Sequence, residues 1–168
     1  MLIIGLLIIG LLSRIIPHAP NFTPIIAIAL FSGTYLNKKY SLLIPFALYV
    51  ISDLIIGLHG VVLFTWSSVI IIAALGQTLK KNKSFLRLAG YTLASSVFFF
   101  IITNFGVWLT GWYPKTYAGL VQCYTLAIPF FRVSLAGNLI YVTVLFGIYQ
   151  FVLNKLKDKK VKTVLLLS

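Results

Sequence analysis

The chain has 168 residues, 60% of them hydrophobic and only 10% charged, with a mean hydropathy of +1.03 and a formal net charge of +12. A soluble domain carries about 25% charged residues, so this chain cannot cover its surface with polar groups and has to face lipid. In a soluble protein such a charge would point to nucleic acid, but eleven of the fourteen basic residues lie in three short clusters that membrane topology explains, and no nucleic-acid partner is expected.

The first apolar run, residues 2–16, lacks a basic leader and a small-x-small cleavage site and reads as a retained helix. After Arg14 comes Pro17-His18-Ala19-Pro20-Asn21-Phe22-Thr23-Pro24. Its three prolines in eight residues remove backbone donors and push their neighbours out of the helical region, so no helix crosses it. Runs at 25–37, 41–58, 61–79 and 85–109 follow. They close at Lys38–Lys39, at Gly57–Gly60, at Lys80/Lys81/Lys83/Arg87 and at Gly111-Trp112-Tyr113-Pro114. The last long run, 133–154, leads into Lys155, Lys157, Lys159, Lys160 and Lys162. Between the fifth and last runs, 116–131 is moderately apolar. If it spanned, the basic tail would land outside, against the positive-inside bias, so an interfacial or re-entrant helix broken at Pro129 is expected.

The expected fold is thus an all-α integral membrane protein of one domain, 1–168, with six transmembrane helices and both termini cytoplasmic. The second run, 25–37, covers only ~20 Å at 1.5 Å per residue, against a hydrocarbon core of roughly 30 Å. Either the proline-rich segment sits below the outer surface in a concavity, or the membrane thins around a short hairpin.

The same threading puts Arg14, Lys115 and Arg132, the basic residues outside the clusters, near the outer face. Asp53, the only carboxylate in an apolar run, lies near the outer end of the third helix. Charges inside membrane segments usually face the protein interior or a wet cavity. Two readings stand open: an Arg14–Asp53 ion pair clamping two helices, or a ligand contact at Asp53. Asn104 and Trp108, four apart, share a helix face that suits either a small organic ligand or helix packing. Trp112 and Tyr113 fit an interfacial aromatic belt. Arg132 either snorkels to headgroups or joins Lys115 and Arg14 in drawing anions. Tyr117 and Tyr124, seven apart, form part of a lid or pack in the core. His18, His59, Asp53 and Cys123 have metal-binding chemistry without diagnostic spacing, so no metal is expected. The lone cysteine precludes an intrachain disulfide. With one carboxylate in the membrane and no phosphate loop or nucleophile–base motif, neither a catalytic residue nor a cofactor is expected.

The strings Arg14-x-x-Pro17-His18-x-Pro20-Asn21-Phe22-Thr23-Pro24, Ser52-Asp53, Thr103-Asn104-Phe105-Gly106-Val107-Trp108, Tyr113-Pro114 and Pro129-Phe130-Phe131 resemble those of a family of small bacterial membrane proteins. That family is similar in turn to the substrate-binding S-components of energy-coupling-factor (ECF) vitamin transporters. The resemblance implies six helices with both termini inside, a location in the bacterial cytoplasmic membrane, and capture of a vitamin or metal at the outer face under loop lids. It further implies docking on an energising module of a transmembrane subunit and ATPases, with Gly5 and Gly10 on a docking face. Such proteins carry an acidic residue where this chain has Asn138, which weakens a cation-binding role there. The expectation is a small-molecule ligand held by Asn21, Asp53, Asn104, Trp108, Lys115 and Arg132, beneath lids at 17–24 and 112–124 that include His18, Phe22, Tyr113 and Tyr117. The rival reading is a membrane scaffold or assembly protein whose outer polar residues only clamp helices.

Overall fold

The computed structural model describes residues 2–16, 21–81 and 83–155, and among these it contains helices and no strand. The helices are α1 (Leu2–Ile15), α2 (Ile25–Tyr35), α3 (Lys38–Ile56), α4 (Val62–Thr78, prolonged by a 3₁₀ turn at Leu79–Lys81), α5 (Phe85–Leu109) and α6 (Tyr117–Lys155). Four of them, α3, α4 with its turn, α5 and α6, are long and apolar enough to cross a membrane. This is the make-up of a multi-pass membrane protein. α1 and α2 are shorter, with 14 and 11 residues.

The sequence of α2, IIAIALFSGTY, carries no charge and no polar stripe, and its residues from Ile25 to Thr34 are all buried. A helix apolar on every side belongs inside a bundle. α2 is accordingly the central element, packed most extensively on α4 and flanked by α3 and α6. Small residues permit the close crossing with α4. A Cβ built on Gly76 would stand 2.6 Å from the Leu30 carbonyl oxygen and 3.2 Å from the Gly33 Cα, so the two backbones touch. The Thr34 hydroxyl lies 2.7 Å from the Leu30 carbonyl and 3.1 Å from the Gly76 carbonyl, bridging the helices at that point.

The chain alternates direction through the bundle. α2 and α4 end together, where Lys80 Nζ donates to the Leu36 carbonyl at 2.9 Å and so caps the C-terminus of α2. Gln77 Nε2 donates to Ser41 Oγ at 2.8 Å, which brings the start of α3 to the same end. Lys83 Nζ lies 5.2 Å from the Tyr35 ring, and the Tyr35 and Tyr149 rings are 4.4 Å apart, which adds the start of α5 and the last turns of α6. The described members of the three basic clusters therefore share one end of the bundle, while Lys157, Lys159, Lys160 and Lys162 fall outside the described residues. Arg14 of α1 meets Asp53 of α3 at the opposite end.

The segment 116–131 is not a separate interfacial or re-entrant helix. It forms the first part of α6, which runs unbroken for 39 residues with Pro129 inside it. Proline costs one backbone hydrogen bond and crowds the carbonyl four residues before it. Here the ring lies on an exposed face, and contacts with α5 hold the helix on the other. The Tyr124 hydroxyl donates to the Ile101 carbonyl at 2.7 Å, Cys123 Sγ approaches the Asn104 carbonyl at 3.4 Å, and the Phe100 and Phe131 rings are 4.7 Å apart. One long helix also keeps Lys155 at the basic end, so the charge bias that argued against a separate span is met without any break. At 1.5 Å per residue α6 extends ~58 Å and α5 ~38 Å, against ~17 Å for α2.

Candidate functional site

Because α2 is so much shorter than its neighbours, its N-terminus lies at the bottom of a recess. A cavity of about 230 Å³ stands there. Ile25 and Ile26 line its base, and Asn21 and Thr23 come from the segment that enters α2. Arg14, Tyr49 and Ile56 form the wall from α1 and α3; Phe99, Ser134 and Asn138 form the wall from α5 and α6. A second cavity, also of about 230 Å³, lies between α5 and α6 and is lined mainly by Phe99, Phe100, Val107, Phe130 and Phe131, with Thr103, Asn104 and Ala127. Asn21, Phe99 and Ser134 line both. Ligand clefts span roughly 300–1,000 Å³, so either chamber alone falls short of that range.

Local chemistry sets the shape of the first chamber. Asn21 has φ 62, a left-handed conformation that asparagine tolerates better than most residues, and it turns the chain toward α2. Phe22 is expected in a lid. Its ring lies 5.2 Å from that of Tyr141 and against Gly137, where an added Cβ would come within 2.8 Å of it. It is an anchor that pins the entering segment to α6. Asn138, only 2% exposed, donates through Nδ2 to Ser96 Oγ at 3.0 Å and reaches Ser134 Oγ at 3.4 Å. Ser96 Oγ donates onward to the Thr92 carbonyl at 2.8 Å, so the buried amide is fixed by a chain of hydrogen bonds.

Beside this chamber lies a charged knot. Asp53 is 1% exposed and accepts from Arg14 Nη2 at 2.8 Å and from the Trp66 indole at 2.7 Å, with His59 Nε2 at 3.6 Å. Arg14 also donates through Nη1 to Ser52 Oγ at 2.6 Å, and its guanidinium lies 4.3 Å from the Tyr49 ring centroid. A buried carboxylate needs such partners, since an isolated ionised group in a dry interior costs several kcal/mol or more. Asp53 lines neither chamber; the knot meets the first one only through Arg14 and Tyr49.

The remaining expected ligand residues scatter. Asn104 lines the second chamber, with Nδ2 donating to the Phe100 carbonyl of its own helix at 2.8 Å. The Trp108 indole donates to the Pro114 carbonyl at 3.0 Å and ties down the turn between α5 and α6. Lys115 and Arg132 are exposed and line neither chamber. Tyr113 is half-buried, and Tyr117, 83% exposed, opens α6; neither lines a chamber. His18 lies outside the described residues. Sequence reasoning missed Thr23, Tyr49, Trp66, Phe99 and Ser134. Two signals were present. Asp53 and Trp66 are nearly equidistant from the turn between α3 and α4, so an antiparallel hairpin brings them together. Ser134 and Asn138 are four residues apart on one helical face.

Residues 1–162 match the model of DUF6580, a family of unknown function, and the chain belongs to that family. No curated protein and no solved structure matches it.

Proposed function

For this member of a family of unknown function, we propose a substrate-capture subunit of a small-molecule importer, similar to the S-components of ECF transporters. The observation that carries the reading is the recess over α2, a polar chamber that shares Asn21, Phe99 and Ser134 with a more aromatic one, at the end of the bundle opposite the basic clusters. By the positive-inside bias the basic end is cytoplasmic, which makes the recess outward-facing and puts both termini inside. In this reading all six helices sit in the cytoplasmic membrane, with the short α1 and α2 supported within the bundle, and anionic lipid headgroups gather at the basic end. A transmembrane partner with ATPases would supply energy, and the chain itself performs no chemistry.

The test is a thermal-shift screen of the detergent-purified protein against B vitamins, cobalamins and nucleobase precursors. A ligand at 100 times its Kd adds about 2.7 kcal/mol of apparent stability. A saturable hit that is weakened by Ser134→Leu, which fills the space between the chambers, supports capture. A flat screen on a monodisperse sample refutes it.

A second reading is a membrane scaffold, favoured by the knot at Asp53. Among the described residues the partners of that carboxylate all come from the chain itself, and they clamp α1 to α3 without any ligand. It predicts that loss of Asp53 destabilises the fold and that no small molecule raises its melting temperature.

A further inference from the structure

We infer that the two chambers form one bipartite site whose occupant joins a flat apolar ring system to an uncharged hydrogen-bonding end group. The inference rests on the capture reading above and adds to it the class of ligand.

The first argument is continuity. Asn21, Phe99 and Ser134 belong to both linings, so the chambers meet at a shared waist and one molecule can occupy both. The second is the contrast between the halves. Phe99, Phe100, Phe130 and Phe131 flank the second chamber, with the Phe100 and Phe131 rings tilted 43° at 4.7 Å, and such walls favour a planar, apolar group. To Asn21 and Ser134, which line both chambers, the first one adds the hydroxyl of Thr23 and the amide of Asn138, whose Nδ2 is held by Ser96 and Ser134 and whose Oδ1 is left to accept.

The third argument is charge. Among the described residues Arg14 is the only charged one in either lining, and its guanidinium is already engaged by Asp53 and Ser52. Among the described residues no carboxylate lines either chamber, so a cationic end group would find no counter-ion there. An anionic one would have to compete with Asp53 for Arg14. A primary amide or a lactam, with one donor side and one acceptor side, matches the lining without disturbing that pair.

Indole-3-acetamide, indole, indole-3-acetate and tryptamine test this on the detergent-purified full chain by thermal shift and equilibrium dialysis. The amide is expected to bind at least about tenfold more tightly than indole alone or either charged analogue, the discrimination that an unmade hydrogen bond or an unpaired buried charge brings. Ala127→Trp, which fills the aromatic chamber, should abolish binding of every indole probe. Ala127→Leu serves the same purpose if the larger side chain prevents folding. Thr23→Val should weaken the amide severalfold and leave indole unchanged. Indole-3-acetate or tryptamine binding as well as the amide overturns the uncharged assignment. Failure of all four probes while another molecule from the wider screen binds overturns the bipartite class and leaves capture standing; failure of every molecule overturns both.

Discussion

Asp53 and Arg14 form an unequal pair, and the inequality predicts which loss is worse. Asp53 is 1% exposed, whereas Arg14 is 15% exposed and borders the first chamber. Arg14→Met leaves a carboxylate whose remaining partners are the Trp66 indole and the more distant His59, in a site that water does not reach. Breaking one side of a buried pair costs about 3–5 kcal/mol, and this variant belongs at the upper end. Asp53→Ala leaves a guanidinium that still donates to Ser52, still stacks on Tyr49 and can turn toward the recess, so its cost belongs at or below the lower end. For a chain of this size about 1 kcal/mol shifts Tm by ~2–4 °C, so Arg14→Met should lower it by ~10–20 °C and Asp53→Ala by ~6–12 °C. Arg14→Met combined with Asp53→Ala removes both charges and should recover part of the loss, because losing a buried ion pair whole costs less than stranding one member of it. The assay is the unfolding midpoint of detergent-purified protein, followed by tryptophan fluorescence across the four-membered cycle. Strictly additive losses in the double variant, or Asp53→Ala as the more damaging single change, would refute the reasoning.

Other consequences are quicker to check. Gly76→Val should push α2 from α4 against the Leu30 carbonyl and cost about 1–3 kcal/mol as overpacking, read as a lowered unfolding midpoint, whereas Gly147→Val, where an added Cβ meets nothing, should leave it unchanged. Trp66→Phe keeps most of the ring but removes the hydrogen bond to Asp53, a charged acceptor, and should cost about 1.5–3 kcal/mol in the same assay. Cys123 is buried between α5 and α6, so a water-soluble maleimide should label it only after unfolding in SDS; rapid labelling of the native protein would contradict that packing.

Much of the bundle was legible because apolar runs and basic clusters are long-range signals. The run 85–109 is α5 to the residue, and the run 25–37 exceeds α2 by only two. The error at 116–131 has a local cause. Pro129 looks like a helix breaker in isolation, yet tertiary contacts to α5 on the face away from its ring accompany a helix that continues through it. The outer end of the bundle was legible as a region, which is why Arg14 and Asp53 could be considered together. Lining was not, because it depends on which way each side chain turns within its helix. Lys115 and Arg132 stood out in the sequence as charges and lie on the surface. Thr23 and Ser134, unremarkable in composition, face the recess because α2 stops short beneath them.

The central position of α2 also orders events during synthesis. It is the second helix to emerge, yet the surfaces that cover it belong to α3, α4 and α6, made later. Until α4 arrives, the Gly33 face has no partner. Until α6 arrives, Phe31 lacks the rings of Phe146 and Tyr149 that close on it at 5.3 and 5.0 Å. The nascent chain therefore carries a short, uncapped hydrophobic peg that must wait for its socket. A chain stopped after α5 should remain open along one side, with apolar surface exposed until the last helix to leave the ribosome completes the assembly.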